Sequence, residues 1–201
     1  MRTAAVSPWA EIFVRASAAV NAYMKQNVKI TLCGIVAALS VVFMMLSYFP
    51  YLTYAVPAVT GLLTMMLVIE INVKWAFAAY IAASVLVFIF AEPESKLMYI
   101  CLFGYYPIIK SLIERIGRAA AEWTLKLLVF NAAALAVYFV FAKIFGISLE
   151  DFAILGKYGA YIFLLISNAV FVLYDIAVSR MAAVYMNVLH NKLQKLLKQG
   201  R

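Results

Sequence analysis

Six apolar runs, at about 30–49, 52–69, 75–91, 97–113, 124–145 and 158–179, constrain this chain more than any other feature. Each is close to the length that crosses roughly 30 Å of hydrocarbon at about 1.5 Å per residue. Hydrophobic residues make up 67% of the 201 and charged residues 13%, too little polar surface to cover a water-soluble globule. A soluble enzyme and a disordered chain are thereby excluded. The runs do not alternate polar and apolar residues with period two, as barrel strands would. The expected fold is all-α, a polytopic membrane protein built as a six-helix transmembrane bundle. The fourth run is the least regular, because Gly104 and Pro107 should kink or break it.

Orientation follows from the cations, which collect on the cytoplasmic side of membrane proteins. Six spans put both termini on one side. With that side in the cytoplasm, the inner set is Arg2, Arg15, Lys25, Lys29, Lys74, Lys110, Arg115, Arg118, Lys126, Arg180, Lys192, Lys195, Lys198 and Arg201. Only Lys96, Lys143 and Lys157 fall outside, a split of 14 against 3 that assigns both N and C termini to the cytoplasm. The formal net charge of +8 is thus read as topology, and nucleic acid is not expected as a partner.

Three regions are expected. Residues 1–29 form a cytoplasmic or interfacial segment, in which Ser7-Pro8 opens a helix with Trp9, Ile12, Phe13, Ala16, Val20 and Tyr23 at helical spacing. Residues 30–180 form the membrane domain. Residues 181–201 form a basic helix continuing the last span, which reads as an anchor on anionic lipid or as a docking site.

Residues that carry chemistry are few. The one histidine, His190, lies outside the spans, so an intramembrane His-based zinc site or Ser–His pair is excluded. There is no Gly-x-Ser-x-Gly, no His-Glu-x-x-His and no phosphate-binding Gly-rich Lys loop. No catalytic residue, metal site or cofactor is expected, and Cys33 and Cys101 read as small hydrophobes. Glu70, Lys110, Glu114, Arg115 and Asp175 map to the inner ends of spans, as anchors and ion pairs or as a proton relay. Asn131 and Asn168 lie within spans, as interhelical glue or as ligand contacts. Tyrosines crowd the outward half. A substrate pocket is expected there from Tyr48, Tyr51 and Tyr54 at the first connection, Tyr105 and Tyr106 beside the helix break, and Asn168.

In its six spans, its cytoplasmic termini, the small-residue stretch Leu32-Cys-Gly-Ile-Val-Ala-Ala-Leu-Ser40 and the segment Pro50-Tyr-Leu-Thr-Tyr-Ala-Val-Pro-Ala-Val-Thr-Gly61, the chain resembles the substrate-binding (S) component family of energy-coupling factor (ECF) transporters. The likeness covers most of the chain as architecture. It implies uptake of a vitamin-type micronutrient across a bacterial plasma membrane, with a separate transmembrane coupling subunit and cytoplasmic ATPases as partners. It also implies that Gly34 and Ala38, four residues apart, present a partner interface, with Gly where the family usually has Ala. The same small-residue face could instead pack within the chain. A non-transporting membrane scaffold or assembly protein of similar fold is the alternative reading.

Overall fold

The computed structural model describes residues 26–145 and 159–190, and every element within them is helical. The expected amphipathic segment at 8–25, the connection at 146–158 and the chain beyond 190 lie outside the described residues. Each of the six apolar runs falls on helix. The helices are α1 (Gln26–Met45), α2 (Ala55–Glu70), α3 (Val73–Phe90), α4 (Pro93–Met98), α5 (Tyr106–Ile113), α6 (Ala119–Phe145) and α7 (Gly159–Tyr185). Short turns of tighter or wider helix extend α1 to Tyr48, join α4 to α5 and carry α7 to His190. Five stretches are long and apolar enough to cross a membrane, and α2 is a shorter apolar helix.

α2 is the centre of the bundle. Its 16 residues include ten buried ones, among them Thr60, Thr64, Met65, Leu67 and Ile69. It touches α1, α3, α5, α7 and the turn between α4 and α5. The buried hydroxyls need no distant partner, since Thr60 donates to the Val56 carbonyl at 2.8 Å and Ser40 to the Val36 carbonyl at 2.8 Å. α1 packs along α3, where Ala76, Ala79 and Ala83 are buried and let the backbones approach. Asn72 caps α3 by accepting the Trp75 amide at 3.0 Å. The opposite faces of these helices, such as Phe77, Ile81, Val85 and Phe88 on α3, are exposed apolar surface suited to lipid.

The expected break in the fourth run takes the form of a wide turn. Residues Tyr99–Phe103 form a π-helical stretch between α4 and α5, closed by the Gly104 amide donating to the Tyr99 carbonyl at 2.7 Å. Pro107 has no N–H for the Phe103 carbonyl four residues earlier, and that oxygen faces α2. It meets α2 at Gly61, where an added Cβ would stand 2.6 Å from it and 2.8 Å from the Tyr174 hydroxyl. The Tyr80 hydroxyl donates to the Ile100 carbonyl at 2.6 Å, partnering another carbonyl of the same turn. Such turns recur where a helix must aim side chains at a site. At the far end of α5 the chain reverses through Gly117, whose φ of 70° suits glycine, before α6 begins.

This close approach makes Gly61→Ala costly. We expect a loss of about 1–3 kcal/mol, read as a lower thermal unfolding temperature in detergent. Gly34→Ala is the control: nothing lies within 4 Å of a Cβ there, and its stability should stay near that of the native protein. Equal effects at the two positions would contradict the packing described.

Candidate functional site

Three helices place an aromatic ring in one layer and a charged group one turn below it. On α5 the pair is Tyr106 and Lys110, on α7 Phe171 and Asp175, and on α6 Phe130 above Lys126. The spacing is four residues in each case, which stacks the two side chains on one helix face. Glu114 follows Lys110 by another four residues. The helices thus meet through two layers of different chemistry, one aromatic and one ionic.

The ionic layer is closed on itself. Glu114 Oε1 accepts from Lys110 Nζ at 2.9 Å and from Lys126 Nζ at 2.8 Å. Asp175 Oδ2 accepts from Lys126 at 3.2 Å, while Asp175 Oδ1 accepts from Lys110 and, at 2.5 Å, from the Tyr106 hydroxyl. The four charged side chains are 2–5% exposed. Lys126 also lies 5.3 Å from the centre of the Trp123 ring. Ions this far from water are tolerable only as mutual partners. A second polar link at the same end joins Tyr185 on α7 to Glu70 on α2, with the tyrosine donating at 2.8 Å.

Glu70, Lys110, Glu114, Arg115 and Asp175 were expected at the inner span ends as anchors and ion pairs, with a relay as the alternative. Lys110, Glu114 and Asp175 are brought together with Lys126, Glu70 pairs separately with Tyr185, and Arg115 is exposed. The cluster lies inward of the Gly117 reversal: Lys110 is seven residues from it, about 10 Å along a helix. The burial comes from packing, since the four charged side chains face one another between α5, α6 and α7.

Above the ionic layer a cavity of about 510 Å³ opens between the π-helical turn, α6 and α7. Its floor is the aromatic layer. Phe130 stacks on Phe171 with ring centres 4.3 Å apart, and Tyr106 meets Phe171 edge-on at 5.0 Å. Met98, Leu102, Phe103 and Tyr105 line one side, Val129 another, and Ile166, Ser167, Val170 and Tyr174 the third. Tyr54 stands at the other end of the cavity from the ionic layer and donates to Glu94 at 3.1 Å.

The residues expected to bind substrate divide. Tyr54, Tyr105 and Tyr106 are brought together in the wall of this cavity. Tyr48 and Tyr51 stand outside it. Tyr48 is exposed and donates to the Phe90 carbonyl at 3.1 Å, and Tyr51 is 98% exposed at the tip of the α1–α2 connection with φ of 71°. Asn168 exchanges hydrogen bonds with Asn131 at 2.9 and 3.1 Å, joining α7 to α6 beside Ser167. Gly34 and Ala38 lie on an exposed face of α1, and no other part of the described chain packs on Gly34. Cys33 and Cys101 are free thiols, and the Cys33 thiol donates to the Trp75 carbonyl at 3.6 Å. Among the described residues no group of His, Cys, Asp and Glu is arranged to hold a metal ion.

The aromatic wall contributed by Phe103, Phe130, Phe171 and Tyr174 was not singled out from the sequence, and neither was Lys126 as a partner of the two acids. A signal for both existed: Lys126–Phe130, Tyr106–Lys110–Glu114 and Phe171–Asp175 share one four-residue spacing on three apolar runs.

Asp175→Leu leaves both buried lysines facing Glu114 alone, and we expect a loss of about 3–5 kcal/mol in resistance to unfolding. Adding Lys110→Met restores the charge balance. The double variant should be more stable than Asp175→Leu alone, a coupling that a double-mutant cycle reads directly. Additive losses would mean that the two groups do not interact.

No protein-family model, no curated protein and no solved structure matches the chain, so the chemistry of the site itself carries the functional reading.

Proposed function

We propose that the protein is the integral membrane substrate-binding subunit of an uptake transporter for a small, vitamin-type micronutrient. It works with a separate transmembrane coupling subunit and cytoplasmic ATPases in a bacterial plasma membrane. The observation that carries this reading is the aromatic-walled cavity, whose volume and mixture of rings with a few hydroxyls suit a small molecule. Tyr54, Tyr105 and Tyr106 are its substrate-binding tyrosines. A cavity shut at one end by an ionic layer and edged by Tyr54 at the other suits capture from one side of the membrane. With α2 counted as a sixth span, the cation split assigns the Tyr54 end to the outside and both termini to the cytoplasm.

The exposed Gly34–Ala38 face of α1 is the docking surface in this scheme. Small residues permit the close helix approach on which association in lipid relies. The openness around Gly34 means that a larger side chain there meets a partner before it meets the chain's own core.

Three measurements test the proposal. Purified protein should be stabilised against heat by one or a few compounds from a metabolite library, because ligand binding favours the folded state by mass action. Tyr105→Ala should reduce that shift. A protein stabilised by none of them, with no loss on Tyr105→Ala, would favour the scaffold reading. Gly34→Leu should remain folded and ligand-competent but no longer co-purify with a coupling subunit, and unchanged co-purification would remove α1 as the interface. In intact cells, single cysteines in 92–96 should react with an impermeant thiol reagent and those in 114–122 should not. The opposite pattern would invert the orientation.

A further inference from the structure

We infer that the ligand of this cavity is an uncharged aromatic molecule, and that carboxylate-bearing analogues of it are rejected. The inference rests on the ligand-binding reading and goes beyond it in naming the chemical class. None of the residues that line the cavity is ionisable as an acid of ordinary strength or as a base. The wall is rings, branched aliphatics, one methionine and the hydroxyls of Ser167 and the tyrosines. Three of those hydroxyls are already committed, that of Tyr54 to Glu94 at 3.1 Å. Tyr106 donates to Asp175 at 2.5 Å, and Tyr174 reaches the Ala58 carbonyl at 3.5 Å.

Among the described residues, the cations beneath the cavity floor are unavailable to a ligand. Lys110 and Lys126 sit one turn beneath the floor, and each is bound to both Glu114 and Asp175. Two positive and two negative side chains cancel, so the layer presents no net charge to the cavity. An anion entering it would lose its hydration and gain no cationic partner in return, which is the costly case for a buried ion. A cation would have ring faces alone, because the Asp175 and Glu114 carboxylates are held by the two lysines. A neutral ring needs no ionic partner: it continues the Phe130–Phe171 stack and uses Ser167 or Tyr105 for a polar substituent.

The test compares matched amide and carboxylate pairs on the full-length protein in nanodiscs: benzamide with benzoate, 2-naphthamide with 2-naphthoate, and indole-3-acetamide with indole-3-acetate. Binding is read by equilibrium dialysis. At least one amide should bind, and its carboxylate should bind about tenfold more weakly or worse. Asp175→Asn removes one negative charge beneath the floor and leaves the lysines in excess. It should narrow or reverse the preference within that pair. Glu114→Gln makes the same charge change from a different helix, so a folding defect in one variant does not decide the matter. A carboxylate that binds the native protein as tightly as its amide would overturn the inference while leaving ligand binding intact. So would a preference that neither charge variant alters. If no member of any pair binds, the ligand-binding reading falls and the inference falls with it.

Discussion

Two lysines and two carboxylates drawn out of water in an apolar bundle must find each other, and much of the architecture depends on their doing so. Lys110 and Glu114 come from the end of the α4–α5 stretch, Lys126 from α6 and Asp175 from α7. In lipid, helices gain little from burying apolar surface against one another, so polar contacts and close packing choose the partners. The quartet provides such a contact for three helices at once. It fixes their relative depth, since a slip of one turn on any of them would strand a charge. It does not follow that the quartet maximises stability, because well-packed apolar side chains often do as well. Its clearer role is to specify one arrangement.

That arrangement sets the cavity. Once the charges are in register, the four-residue spacing brings Tyr106, Phe130 and Phe171 into one layer above them. Tyr106 belongs to both layers: its ring lines the cavity and its hydroxyl is held by Asp175. The π-helical turn then carries Met98, Leu102 and Phe103 up the wall, at the depth where Pro107 and Gly61 let the α4–α5 stretch approach α2. The Asn131–Asn168 pair ties α6 to α7 on the other side of the aromatic layer.

The helices were legible because their signal is local. Apolar runs of membrane length appear in any window, and all six fall on helix. The irregular fourth run was legible as an interruption from Gly104 and Pro107, but its form was not, since a π-helical turn depends on what receives the freed carbonyls. Tyr80 receives one of them, and the absence of a side chain at Gly61 leaves room for another. The candidate site was half legible. Tyr54, Tyr105 and Tyr106 could be named from their position near the break, whereas Tyr48 and Tyr51 share their composition but lie on the exposed side of a connection. Charge position suggested span ends for Lys110, Glu114 and Asp175. Their burial with Lys126 depends on how far α5, α6 and α7 overlap, which no single run of sequence states.

Amine-reactivity mapping by mass spectrometry is the most direct check on the buried ionic layer. The protein is treated in detergent with a small acetylating reagent under native conditions. Lys74, exposed at the start of α3, should be modified rapidly, while Lys110 and Lys126 stay unmodified until the protein is unfolded. Modification of Lys110 and Lys126 at the rate of Lys74 would show hydrated span-end anchors in place of a closed layer, and the register of the three helices described here would be wrong.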